Sequence, residues 1–167
     1  MPKLTNQSRW KNIDGTIVHL LTERKLTLAT AESCTGGCLA HRITNVPGAS
    51  AVFPGGVVAY SNTVKKNFLG VRAKTLSRHG AVSAAVAREM ANGARKKFGA
   101  DFAIAVTGIA GPGGGTKSKP LGTVFIALAD GSGTVVERKM NPTGRVQFKR
   151  DTTDQALKML HSRLMRT

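Results

Sequence analysis

Cysteine, histidine, aromatic side chains and acids are all scarce in this 167-residue chain, and each scarcity closes off a class of function. The two cysteines, Cys34 and Cys38, are too few for a structural zinc site, and no histidine lies near them in sequence to complete one. Their spacing falls at a helix start, a geometry that disfavours a disulfide, so both are expected free and reduced. No metal and no cofactor is expected. One Trp, one Tyr and six Phe give no obvious base-stacking platform. No apolar run approaches the roughly 18 residues of a membrane helix. The stretch Met1–Trp10 lacks the apolar centre of a secretory signal, which makes the cytoplasm the expected compartment.

Acids number 9 against 25 lysines and arginines, a formal charge of +16. Such an excess draws anions: phosphorylated metabolites, nucleic acid or acidic membranes. The basic residues are scattered, however, with only short clusters such as Arg95-Lys96-Lys97 and Arg138-Lys139. No basic arm is present, so nucleic acid is not the expected partner. Solvated helix faces account for most of this charge, and steering of an anionic substrate is a secondary effect.

Length and ordinary apolar content fit one domain over residues 1–167 with a real core. Apolar spacing predicts helices over 13–24, 36–44, 63–69, 83–97 and 146–164. Strands are predicted to end near Ala31 and to cover 57–60, 102–107, 123–128 and 134–140, the last two joined by the hairpin turn Asp130-Gly131-Ser132-Gly133. A long glycine-rich loop runs from Gly108 to Pro120. Helices alternating with early strands, followed by a late hairpin, predict a three-layer α/β/α sandwich with a mixed, mostly parallel sheet.

Four segments rich in functional groups fall at strand ends, where α/β sheets bind ligands. They are Glu32-Ser33-Cys34-Thr35-Gly36-Gly37, Tyr60 to Lys65, Thr107 to Gly114, and Thr143-Gly144-Arg145. The first hands a strand over to a helix, where Gly36 and Gly37 permit close backbone approach and helix N–H groups stand open to negative charge. The same letters suit a tight turn with Thr35 as N-cap and no chemistry. A serine nucleophile needs a base and oxyanion donors. Ser33 has the donors, but His19 and His161 lie in remote helices, His41 faces outward, and His79 is placed in a loop before Gly80. Lys65 is the other candidate base, provided burial or positive neighbours such as Lys66 lower its pKa. A solvated lysine fits the same letters. Cys34 is a rival nucleophile, and Arg145 could pair with a phosphate or be an exposed structural arginine.

Six motifs in register resemble the CinA C-terminal domain family, whose stand-alone members include nicotinamide-nucleotide amidases. They are Thr30-Ala-Glu-Ser-Cys-Thr-Gly-Gly37, Val46-Pro-Gly-Ala-Ser50, Gly55-Gly-Val-Val-Ala-Tyr-Ser61 with Lys65, Gly80-Ala-Val-Ser83, Thr107-Gly-Ile-Ala-Gly-Pro112 and Lys119-Pro-Leu-Gly-Thr123. The resemblance implies metal-free hydrolysis of the carboxamide of nicotinamide mononucleotide by serine–lysine chemistry. Ser33 would be the nucleophile and Lys65 its base, with Tyr60 and Thr107 lining and polarising the site. Thr35, Gly36, Gly37 and Gly108 would border the substrate, and Arg145 would hold its anionic part. A homodimer is the expected assembly. Where the family often has a second arginine four residues after Arg145, this chain has Lys149, with Arg150 beside it. The family's longer proteins carry an N-terminal domain with separate chemistry, and none of that chemistry is expected here. The contrasting expectation is a non-enzymatic module that binds nucleic acid or regulates competence.

Overall fold

Alternation of large residues and alanines along the inner strands sorts this chain into two unlike helical layers. The computed structural model describes residues 12–166, so Met1–Trp10 lies outside the described residues. In chain order the elements are α1 (Ile13–Glu23), β1 (Leu28–Glu32), α2 (Cys38–Thr44), a 3-10 turn (Ala49–Ala51), β2 (Gly55–Val58), α3 (Asn62–Leu69), α4 (Ala73–His79), α5 (Ala84–Phe98), β3 (Phe102–Gly108), β4 (Thr123–Asp130), β5 (Gly133–Met140) and α6 (Arg145–Leu164).

The strand order is β2-β1-β3-β4-β5. β1 pairs in parallel with β2 and β3, while β4 runs antiparallel to both β3 and β5. The sheet is therefore mixed: only β4 opposes the common strand direction, yet half of the pairings are antiparallel.

One face presents Leu28, Phe102, Ile104, Val106, Val124, Ile126 and Leu128 to α1, α2 and α6. The other presents Ala29, Ala31, Ala103, Ala105, Ala127 and Ala129, and on it lie α5 and the end of α3. Small residues let α5 sit close to the strands, and the same closeness holds between helices. A Cβ added at Gly93 of α5 would stand 1.9 Å from the Leu69 carbonyl oxygen that ends α3. α3 is thereby seated against α5 with no slack, which fixes the helix that carries Lys65.

α4 had no expected counterpart, and His79 ends it rather than lying in a loop. No residue at its start offers a side-chain cap. Its anchor comes from α5: Glu89 accepts from the Arg72 backbone N–H at 2.9 Å and from the Thr75 hydroxyl at 2.8 Å. An acid distant in sequence does the capping, which a local pattern does not reveal.

Candidate active site

Ser61 begins α3 as a true N-cap, accepting the Val64 N–H at 3.2 Å. One turn on, Lys65 and Leu69 are the buried residues of the helix. Lys65 thus holds a position that amphipathic patterning reserves for an apolar side chain. It is 1 % exposed and among the largest fully buried side chains of the described residues. Its Nζ lies 3.0 Å from Ser33 Oγ, 2.7 Å from the Ala59 carbonyl oxygen and 3.4 Å from that of Tyr60. No carboxylate stands among these partners. Burial holds the Lys65 ammonium below the ordinary lysine range, and only the Cys34 sulfur works against that. The cause is desolvation and not repulsion by Lys66, which is exposed.

Ser33 follows the last residue of β1, with both sides of its preceding peptide fixed. The Glu32 carbonyl accepts from Ala59 N–H at 2.7 Å, and Ser33 N–H donates to Val106 at 3.0 Å. Ala59 is the hinge of the pairing, since its N–H ties it to β1 and its carbonyl receives Lys65.

After Ser33 the chain turns through Gly36 and Gly37, both left-handed at φ 61° and 96°. Glu32 is almost wholly buried, and its side chain doubles back beneath this turn. It accepts from the Thr35 hydroxyl at 2.7 Å and from the N–H groups of Gly37, Leu39 and Ala40 at 2.9, 3.0 and 2.8 Å. Gly36 N–H is committed to the Ser33 carbonyl at 3.2 Å. The N–H groups of Cys34 and Thr35 reach no backbone acceptor; both stand beside Ser33 and lie against the Cys34 sulfur.

Cys34 adjoins the serine but is a poor rival. Its thiol is pushed up to about 12, chiefly by burial, with Glu32 adding to the rise. Its own and Thr35's N–H groups and Lys65 pull the other way without reversing it. A thiol so raised is almost entirely protonated at neutral pH and supplies no thiolate. Both cysteines are free.

At the rim, Arg145 opens α6 and holds two groups at once: the Tyr60 hydroxyl and, at 2.8 Å, the Gly111 carbonyl of the glycine-rich loop. Lys149, one turn further along α6, brings Nζ to 3.6 Å from where a Cβ at Gly36 would stand. Arg150 is exposed on the neighbouring face. Thr107 and Gly108 sit one layer deeper than expected. The fully buried Thr107 hydroxyl donates to the Ala81 carbonyl at 2.9 Å, so it anchors the segment before α5. A Cβ at Gly108 would meet the Thr123 carbonyl oxygen at 2.8 Å and Phe148 at 3.0 Å, so this glycine serves packing between β3, β4 and α6. The Thr35 side chain likewise faces Glu32.

Among the described residues no group of three or more His, Cys, Asp or Glu is placed to hold a metal. No helix among them is long and apolar enough to cross a membrane.

Fold and geometry define an α/β/α domain in which a half-buried serine touches a buried lysine at the carboxyl ends of its parallel strands. The chain belongs to the CinA C-terminal domain family, whose model matches residues 11–164. It is 58 % identical over 118 residues to a CinA-like protein of Thermotoga maritima, spanning 71 % of this chain and 29 % of that protein. Identity is 49 % over 156 residues with a CinA-like protein of Parasynechococcus marenigrum, spanning 92 % and 37 %. The chain thus spans about a third of the length of the curated relatives it matches. Among solved structures, a competence/damage inducible protein from Agrobacterium tumefaciens superposes with TM-score 0.89 at 39 % identity, covering 97 % of this chain and 98 % of that one. A CinA superfamily protein from Klebsiella pneumoniae gives TM-score 0.90 at 35 % identity, covering 95 % and 99 %.

Proposed function

We propose that this domain is an amidohydrolase that converts nicotinamide mononucleotide and water to nicotinate mononucleotide and ammonia. The observation that carries the reading is the 3.0 Å contact between Ser33 Oγ and the Nζ of a buried lysine. A neutral amine has two hydrogens and one lone pair. Donated to the Ala59 and Tyr60 carbonyls, the hydrogens leave the lone pair facing Ser33, whose hydroxyl then donates to Lys65. That is the arrangement a general base requires.

Ser33 Oγ attacks the carboxamide carbon and its proton passes to Lys65 Nζ, while the carbonyl π pair becomes an oxyanion facing the Cys34 and Thr35 N–H groups. As the oxyanion collapses, the C–N bond breaks and Lys65 returns its proton to the departing amide nitrogen as ammonia. Water then attacks the acyl-serine with Lys65 taking its proton, and Ser33 leaves with that proton restored. Arg145 and Lys149 face the substrate's phosphate from α6. Arg145 is the one that can engage it through two nitrogens, whereas Lys149 offers a single point charge. A cytoplasmic homodimer belongs to the same proposal.

Ammonia release across a panel of nicotinamide compounds tests it. Turnover is expected with the mononucleotide and is expected to vanish in Ser33→Ala. Near-normal release from Ser33→Ala, or steeply salt-dependent DNA binding without any ammonia release, would sink the assignment.

A further inference from the structure

We infer that Glu32 is a positioning residue for the oxyanion donors of this site; the inference rests on the reading of Ser33 as nucleophile. Its side chain accepts four hydrogen bonds, all from the turn and helix that follow Ser33. None of the ion pairs among the described residues involves it. A buried carboxylate without a cation is costly to fold, and a short Ser or Asp cap would serve the start of a seven-residue helix without a long buried side chain. Capping alone therefore accounts poorly for an acid at this place.

Its placement beside the nucleophile accounts for it better. Unengaged, the N–H groups of Gly37, Leu39 and Ala40 would form a second cluster of donors at the start of α2, competing with those beside Ser33 for developing negative charge. Glu32 takes all three. Its hold on the Thr35 hydroxyl at 2.7 Å also fixes the residue whose own N–H, like that of Cys34, stands beside Ser33 with only the Cys34 sulfur against it. The main chain of Glu32 is pinned to Ala59, the residue that receives Lys65. One side chain thus sets the donors, and its own backbone sets the distance from nucleophile to base. Removing it disturbs an interaction that strengthens as the tetrahedral intermediate forms, and leaves ground-state binding largely intact.

The test compares wild type, Glu32→Gln, Glu32→Asp and Ser33→Ala. Readouts are ammonia release from nicotinamide mononucleotide, affinity for the product nicotinate mononucleotide, and inhibition by pyridine-3-boronic acid, which mimics the tetrahedral state on Ser33. Gln keeps the volume but turns an NH2 toward N–H donors. Its kcat is expected to fall about 10²-fold or more, as when an oxyanion donor is lost. Boronate affinity should fall by a similar factor while product affinity stays within about threefold. If Glu32→Gln does not fold, Glu32→Asp reads the same ratio, with an expected loss of about tenfold in kcat. A folded Glu32 variant with wild-type kcat, or equal loss of boronate and product affinity, overturns the inference and leaves Ser33 standing. Wild-type protein that neither releases ammonia nor takes up the boronate overturns the Ser33 assignment and this inference with it.

Discussion

The two faces of the sheet differ both in material and in what they bring to the strand ends. Large aliphatic and aromatic residues cover one face and support α6, which delivers Arg145 and Lys149 to the rim. Alanines cover the other, where α5 lies close enough to lock α3 and with it Lys65. The bulky face supplies cations on long side chains, Arg145 exposed and Lys149 half-buried. The alanine face carries the helix that buries Lys65 against Ser33. The buried lysine lies on the more closely packed side, where desolvation lowers its pKa.

Removing the reacting pair gives the largest effect. Ser33→Ala and Lys65→Ala should each lower kcat by about 10⁴-fold or more, and the double variant should be little worse than either, because the two act as one unit. Steady-state ammonia release of the three proteins checks this. Next come the faces themselves. Ile104→Ala on the bulky side should lose about 2–5 kcal/mol of stability by urea unfolding, yet leave kcat near normal in the folded fraction. Gly93→Ala should lose less stability, about 1–3 kcal/mol, but also lower kcat, since α3 must move from α5 to make room. If kcat is unchanged in Gly93→Ala, the alanine face does not set the base.

Arg145→Ala should raise KM about tenfold with a smaller change in kcat, the signature of uniform binding lost at an exposed charge. Arg145→Lys should recover only part of it. The smallest effect carries the opposite sign. Lys65→Met removes an amine whose burial disfavours its proton and should stabilise the domain by about 1 kcal/mol near neutral pH while abolishing turnover. The linkage fixes where that gain disappears. With the folded-state pKa of Lys65 lowered, the unfolded chain binds more protons between that value and 10.5. Wild-type stability therefore rises with pH across this window, and the advantage of Lys65→Met fades over the same range.

Much of this was legible in the letters. The Glu-Ser-Cys-Thr-Gly-Gly turn and the continuous apolar runs of the inner strands are local signals, and each stands where its pattern put it. Lys65 could be suspected from its neighbour Lys66 and from the family resemblance; its burial comes from the seating of α3 against α5 and from the Ala59 carbonyl, which no local pattern displays. Helix α4 was missed because Glu89, from another helix, provides the acid at its start. Glu32 stood in the motif without a role, although an acid just ahead of a helix start is the available clue to the cap it makes. Thr107 invited a place at the ligand, yet the side to which its hydroxyl turns was decided by Ala81, 26 residues away.

The central claim is that Lys65, neutral and buried, is the base for Ser33. The most direct measurement is the pH dependence of kcat/KM for ammonia release from nicotinamide mononucleotide, with Lys65→Ala and Cys34→Ser beside wild type. The rate should rise with pH to an inflection below the ordinary lysine value of 10.5, be absent in Lys65→Ala and persist in Cys34→Ser. An inflection at 10.5 or above, retained activity in Lys65→Ala, or loss confined to Cys34→Ser would contradict the account.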